Sequence, residues 1–575
     1  MDKRTILAVV LSVVIISVFF AVQAIFFPGT LPTAKKQEST ALSEEGKQAE
    51  QSSSRLTASQ MRFQPIEEEG QDEREIEIAN GVFKMKLSTK GANLRSLTLN
   101  NYREAGGPPV EMVLSEDSGL YPFNLFLEEY DTSGDVFSHS PPLSPGEWEF
   151  TKRYIYKAEG EETAFTVKKR YVFKQNDYMV EVRISITADD RGDIPLQYYS
   201  LEFGPQIGPD YTKLDGRNEY RRTIFYSNGK RKDFSKQVKK EGRKDLEDRF
   251  SWLAVEGKYF IAIGISYISD LNSFRAGFDV TERGGLKDQS SFYFDRSLKD
   301  AFKVDDGYKF YIGPKKKDIL SRYNSRDRNA WQESGLQLDS AVPGDFWGWL
   351  SSILKWLLEM FYGIVPNWGV AIILLTILIK IVFFPLTHKS FESTHKMQKL
   401  GPKIEELKKK FKNNTQKLNQ EMAALYKKEG VNPLGGCLPM LLQMPIFFAM
   451  YSLFNNYFEL RGAAFISPWI ADLSAPEKFL TLPFTIPLVG WTEVRLLPFV
   501  MLATTFVQQW VTKTPGQSGS QAKMMMYALP AFFFFIMYNM PSGLLLYWTM
   551  QGFFTFLTQF YINSKRMRKE DATGD

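Results

Sequence analysis

Residues 366–385 read PNWGVAIILLTILIKIVFFP, and this stretch decides what kind of protein the chain is. From Val370 to Phe384 it is apolar except for Thr376 and Lys380. Such a run predicts a membrane-spanning helix, since a bilayer core takes about 20 residues to cross. A cation on that helix costs roughly 2.5–3.5 kcal/mol near the bilayer centre and usually faces a protein or water-filled interior. Thr376 precedes Lys380 by four residues, so the two share one helical face. The polar stripe fits two environments. Either it lines a wet cavity inside the membrane, or Lys380 snorkels to an interface near Phe384, about 6 Å away along the axis.

Working outward, the 575 residues divide into unlike halves, with charge dominating from 30 to 340 and Phe- and Met-rich apolar runs after 350. Ile6–Phe27 is apolar behind Lys3 and Arg4, long enough for a retained anchor (1–27), although Val22-Gln23-Ala24 weakly resembles a cleavage site. A basic start places the N-terminus in the cytoplasm. Residues 28–70, rich in Ser, Gln, Glu and Lys, predict a disordered linker. From Glu75 the period changes to two. Val182, Ile184 and Ile186 alternate with Arg183, Ser185 and Thr187, and Lys174–Asp177 reads as the turn joining that strand to TVKKRYVF. Similar strands flank Thr89–Ala92 and cover Tyr259–Ile268, so 71–340 is expected to be an all-β antiparallel sandwich outside the cytoplasm.

Residues 346–362 (FWGWLSSILKWLLEMFY) place Trp347, Leu350, Leu354, Leu357, Leu358 and Phe361 at helical spacing, which suits an amphipathic helix in the membrane interface or a core helix of the β domain. Five spans then follow near 366–386, 437–458, 494–512, 523–540 and 542–562, an α-helical bundle within 363–565. The connector 388–436 holds eleven Lys against five Glu, while 459–493 has Arg461 and Lys478 against four acids. Cationic excess marks the cytoplasmic side, and the tail 566–575 agrees with it, so both termini are expected there. Within the connector, Met397, Leu400, Ile404, Leu407 and Phe411, then Leu418, Met422 and Leu425, space out a two-helix hairpin with a turn at Lys412–Asn414. Its basic outside, including Lys403, Lys408, Lys409 and Lys410, suits anionic lipid or an RNA-rich particle such as a ribosome.

Little here suits bond chemistry. One cysteine (Cys437) and three histidines exclude a disulfide framework, and no metal-ligand pairing, phosphate loop or dinucleotide fingerprint appears. Polar groups recur instead inside the apolar spans: Gln443, Gln508, Gln509, Gln551 and Gln559. They fit a polar cavity or simple helix-to-helix bonding. A solute transporter would use similar groups, but the spans show no internal repeat. A carbohydrate-active enzyme in the β domain would need a partner for the isolated His139.

NWG…ILIKIVFFPLT, VNPLGGCLPMLLQMPIF (431–447) and MPSGLLLYW (540–548), with the Lys-rich hairpin, resemble the YidC/Oxa/Albino family of membrane protein insertases over about 345–565. The anchor and β domain look like the Gram-negative form, whose periplasmic domain is a supersandwich. The resemblance implies a hydrophilic groove open to the cytoplasm and to lipid, through which hydrophobic segments of nascent proteins enter the inner membrane, alone or with the Sec translocon. It implies no cofactor. Groove positions carried over are Lys380, where the family usually has Arg, Thr376, Tyr547, and Trp548 in place of a Tyr; Gln443 and Gln508 join the candidate groove from their place inside the spans. Lysine keeps the charge but loses the planar donor fork of arginine.

Overall fold

The computed structural model describes residues 62–573 except 68–71, 105–106, 115–120, 143, 159–160, 190–191, 205, 212–213, 215–218, 248, 269–273, 280–289, 300, 413, 432–437, 487–489 and 513–527. The expected anchor at 1–27 and most of the expected linker lie outside the described residues. The chain divides after Pro343 into two compact units.

The first unit is β-rich and antiparallel throughout its named strand pairs, built on sheets of ten, six and four strands. The largest carries β1 (Glu147–Ala158), β2 (Glu161–Phe173), β3 (Met179–Ala188), β4 (Phe260–Ser266) and β5 (Lys303–Pro314), in spatial order β1-β2-β3-β5-β4. Alternation does in β3 what the sequence predicts. Val182, Ile184 and Ile186 are fully buried while Arg183 is exposed, because successive side chains leave opposite faces of a strand. The β2–β3 turn places Asn176 at φ 57°, a left-handed conformation that asparagine tolerates. The Asn80 amide ties this turn down by donating to the carbonyls of Lys174 (3.1 Å) and Asp177 (2.7 Å).

The expected disordered linker ends earlier than Gly70. Phe63–Pro65 is a strand paired antiparallel with β1, and Phe63 is buried against the rings of Tyr130 and Tyr156. One large aromatic burial offsets the ordering of so short a piece.

The same sheet buries a lysine. Lys169 on β2 has no exposed surface, and its Nζ donates to Gly91 O (3.0 Å), Asn93 Oδ1 (3.0 Å) and Phe123 O (2.6 Å). Asn93 donates onward to Asn124, and Asn124 to Asp131. Burial pushes the Lys169 pKa well down, against the opposing charge of Asp131.

The second unit is helical: α1 (Gly348–Ile364), α2 (Trp368–Lys399), α3 (Gly401–Lys410), α4 (Thr415–Lys428), α5 (Leu438–Asn456), α6 (Leu497–Thr512), α7 (Leu529–Met537) and α8 (Ser542–Thr573). A two-stranded hairpin, β6 (Leu480–Ile486) and β7 (Trp491–Val494), precedes α6. Among the described residues, α2 is the helix long and apolar enough to cross a membrane by length and composition. The NWG motif starts it. Asn367 caps the helix by accepting from the Val370 N–H (3.1 Å), and its own amide donates to Phe465 O (3.3 Å). Gly369 is needed because a Cβ there would collide with the Phe465 ring. The PSG motif starts α8 in a similar way, the Ser542 and Gly543 N–H groups donating to Ala475 O (2.8 Å) and Leu473 O (2.9 Å).

One boundary differs from the sequence expectation. α2 does not stop near Leu386 but continues through Pro385 to Lys399, so the hairpin expected from His388 begins only with α3. An interior proline removes one hydrogen bond and bends a helix without having to end it. Of the expected seam, Leu400 and Ile404 are buried with Met397, Met422 and Leu425 packed on them, and the cluster takes in Val431 and Tyr426, which the spacing did not mark, without Leu407, Phe411 or Leu418. α1, for which the sequence left an interfacial helix or a core helix of the β domain, lies in the helical unit. Leu354 and Leu358 are buried, and the Ser351 hydroxyl donates to Ala449 O of α5 (2.9 Å). Trp349, Ile353, Trp356, Met360 and Ile364 form a second apolar stripe that faces outward. α1 is therefore apolar on two sides.

Candidate functional site

Lys380 projects from α2 toward α8, where its Nζ donates to Thr555 Oγ1 (2.5 Å). Thr555 passes the polarity on by donating to Gln551 O one turn earlier (2.7 Å). Both amide atoms of Gln551 are buried with no hydrogen-bond partner among the described residues. α6 closes the seam from the other side. A Cβ on Gly552 would sit 3.5 Å from Gln508 Oε1 and 3.6 Å from Thr504 Oγ1, so both groups reach the small residue of α8. α8 thus meets Lys380 of α2 through Thr555, and Gln508 and Thr504 of α6 through its Gly552, next in sequence to Gln551. Buried polar groups ordinarily find partners, and an unpaired amide beside a cation with spare donors is a site where water or a polar chain segment is stabilised.

Other expected groove residues fall elsewhere. Thr376 is fully buried, and its hydroxyl bonds back to Ile372 O (2.7 Å), so it shares a face with Lys380 without presenting a free hydroxyl. Gln443 is half-buried on α5, between Pro439 and Pro445. Tyr547 is buried at 3% exposure. Trp548 is half-buried and bridges two helices, its indole edge-on to Phe447 of α5 (5.1 Å) and stacked with Phe533 of α7 (6.1 Å). Thr555 went unread in the sequence. Its one signal was a position four residues after Gln551.

In the hairpin, Lys403 pairs with Glu429 (2.8 Å) and holds that carboxyl below its usual range. Lys409 and Lys410 are exposed and Lys408 half-exposed. No group of three or more potential metal ligands occurs among the described residues.

A β-rich domain followed by an apolar helical unit with a cation between two of its helices defines an integral membrane protein with a large extramembrane domain. Comparison with known proteins agrees. A family described as 60Kd inner membrane protein matches residues 360–570, and the YidC periplasmic domain matches 75–360. The membrane protein insertase YidC of Treponema denticola is 37% identical over 99% of this chain and 100% of its own length. That of Geotalea daltonii is 33% identical over 98% and 99%. A crystal structure of an active YidC insertase with its first transmembrane domain resolved aligns over 87% of this chain and 94% of that one, at 18% identity and a TM-score of 0.34. The chain belongs to the YidC family of membrane protein insertases. It is an inner-membrane protein with a periplasmic β domain, and the enzyme and transporter alternatives fall away.

Proposed function

We propose that this chain inserts hydrophobic segments of nascent proteins from the cytoplasm into the inner membrane, with the polar seam around Lys380 as the place where the segment's polar end is received. Five spans near 366–386, 437–458, 494–512, 523–540 and 542–562, an N-terminal anchor and cytoplasmic termini form the topology. The observation that carries the reading is the bond from Lys380 to Thr555, which supports an ammonium held inside the bundle and not one snorkelling to an interface.

The work is physical. An incoming tail loses hydration as it leaves water, and a nearby cation offsets part of that loss most strongly where the dielectric is low. The three donors of an ammonium exceed the single acceptor that Thr555 supplies, leaving capacity for a carboxylate or water. The unpaired Gln551 amide adds a donor and an acceptor within the seam. The apolar segment then moves past α5 and α7, between which Trp548 stands, and partitions into lipid. Burying each Leu or Phe is worth roughly 1.5–3 kcal/mol, so a segment of spanning length supplies its own drive. Lys403, Lys408, Lys409 and Lys410 on α3 form a basic cytoplasmic projection suited to a ribosome or anionic lipid, and the Sec translocon is a further partner for longer substrates.

The test is insertion of a single-span substrate with an acidic tail into liposomes holding only this protein, beside Lys380→Ala, Lys380→Arg and Lys380→Glu. Activity in wild type and Lys380→Arg, lost in the other two, is expected. Full activity in Lys380→Ala would make the lysine a bystander.

A further inference from the structure

Near the end of the β domain the chain makes two short helical turns, Ser321–Asn324 and Arg326–Arg328. They share a cavity of about 260 Å³ with the β2–β3 turn, lined by Arg322, Asp327 and Arg328 and, on the turn, by Gln175, Asn176 and Asp177. Arg170, Arg183, Arg231 and Arg296 of the same domain each pair with a carboxylate. Among the described residues Arg322 and Arg328 pair with none, and Asp327 pairs with no cation. An exposed arginine is ordinarily just solvated. What sets these two apart is the frame that carries them.

That frame is fixed by buried and half-buried hydrogen bonds. The Asn329 side-chain amide donates to the carbonyls of Arg322 (3.1 Å), Ser325 (2.9 Å) and Glu333 (2.9 Å), and accepts from the Glu333 N–H (2.9 Å). The Tyr323 hydroxyl donates to Asp177 Oδ1 (2.5 Å) and the Ala330 N–H to Asp177 Oδ2 (3.1 Å), which ties the loop to the turn. The Met179 N–H also donates to Oδ1 (3.0 Å), so three donors occupy the buried Asp177 carboxylate. The turn itself is held by Asn80. A site whose backbone is set in advance gives up less entropy when it binds.

The lining holds two guanidiniums and two carboxylates, so its charge sums to zero. Both signs remain available, because Asp327 pairs with neither arginine. A bare anion would gain from the arginines and be opposed by both acids. A zwitterion meets each sign with its opposite. Phosphate oxygens match the planar donor fork of arginine, and a carboxylate accepts the N–H donors of a primary ammonium. At about 260 Å³ the cavity falls below the roughly 300–1,000 Å³ usual for whole ligands, which suits a headgroup better than an entire amphiphile. The chain passes from this domain into the helical unit at Gly344. Membrane headgroups are therefore the phosphates that such a tether concentrates beside it.

We propose that this cavity receives a phosphoethanolamine headgroup from the periplasmic leaflet, with its phosphate on Arg322 and Arg328 and its ammonium on Asp327. Such docking ties the β domain to the lipid surface at a point independent of its covalent link.

The first measurement uses headgroups without acyl chains. Glycerophosphoethanolamine, glycerophosphocholine and inorganic phosphate are titrated in turn onto the full chain in a maltoside detergent, with binding read by saturation-transfer NMR. Glycerophosphoethanolamine is expected to bind several-fold tighter than either of the others. Arg322→Ala with Arg328→Ala should weaken it about 10-fold, and Asp327→Asn should abolish its advantage over the choline compound. All three side chains are exposed, so the variants should unfold at the wild-type temperature. Inorganic phosphate binding as tightly, with Asp327→Asn silent, makes this a plain anion site and overturns the headgroup. Binding unchanged by the double arginine variant overturns the cavity as its location.

The second measurement asks whether the headgroup comes from lipid. With Cys437 changed to Ser, a fluorophore is placed by Arg326→Cys, on the same loop, or by Lys230→Cys, exposed elsewhere on the β domain. The full chain is reconstituted in vesicles containing phosphatidylethanolamine with a nitroxide at the top of its acyl chain. Quenching is expected to be several-fold greater at 326 than at 230, and to fall when Arg322→Ala and Arg328→Ala are added. Equal quenching at the two positions, with soluble headgroup still bound, makes the ligand a soluble phosphodiester and overturns the lipid as its source. Quenching at 326 that survives the double variant reports proximity alone and overturns the docking.

Discussion

Lys169 in the β domain is wholly buried and Lys380 in the helical unit partly so, and the two are held in opposite ways. Lys169 in the β domain has three oxygen acceptors within 3.0 Å, one for each donor of an ammonium. Among the described residues Lys380 in the helical unit bonds one hydroxyl, that of Thr555, which lies one turn along α8 from Gln551, whose amide has no partner among those residues. A buried charge costs several kcal/mol unless it is fully paired. Where the fold completes the pairing, the charge is part of the architecture. Where the pairing is left open, the missing partners are supplied by what passes through. The difference is between a closed network and a site.

The sharpest way to break this contrast is to reverse the charge of the open lysine. Lys380→Glu should lower insertion of an acidic-tailed substrate about 100-fold, the equivalent of roughly 2.5–3.5 kcal/mol of intramembrane charge. A reconstituted insertion assay reads it, and a substrate with a neutral tail should suffer much less. If both substrates fall equally, Lys380 is structural like Lys169.

Removing the closed lysine should do the converse. Lys169→Met strands Gly91 O, Phe123 O and Asn93 Oδ1, costing about 1–3 kcal/mol of β-domain stability, seen as a lower unfolding temperature in calorimetry of the full chain, with acidic-tail insertion preserved at permissive temperature. The pH dependence has a definite sign. The folded-state pKa of Lys169 is lowered, so its contribution is whole above the ordinary lysine value and is lost as pH falls through the folded value. That part of the pH slope should vanish in Lys169→Met.

A smaller effect tests the single bond that holds Lys380. Thr555→Val keeps the shape of the side chain but removes the hydroxyl, and should cut acidic-tail insertion about 5-fold, or ~1 kcal/mol. Thr555→Ser should restore it, which a packing role would not produce. The smallest effect belongs to charge that never left water. Replacing Lys408, Lys409 and Lys410 by Ala should weaken ribosome co-sedimentation at low salt only, because exposed charges are screened beyond about 8 Å at physiological ionic strength. Loss that persists at high salt would point to a shaped contact instead.

The sequence displayed periodic features well. Alternation in 182–187 located β3, and the 3-4 spacing of Met397, Leu400 and Ile404 located the hairpin seam. Features set by one residue, or by partners distant in sequence, were hidden. Three residues at Phe63–Pro65 are too few to display a period, so a strand read as linker. A proline after an apolar run read as an end, though α2 continues. The outward stripe of α1 was masked because the helix is apolar on both sides.

The sequence by itself determined the class of protein: a long apolar run bearing one cation, a strand-patterned domain before it, and family motifs around it. These are local properties, fixed by composition and spacing. Only the tertiary structure decided that Lys380 meets Thr555, 175 residues away, that Thr376 bonds to its own helix, and that Trp491 of β7 stacks on Tyr538 just past the end of α7. Which side chains meet across helices depends on how the helices pack, and no periodicity along one segment encodes the partner on another.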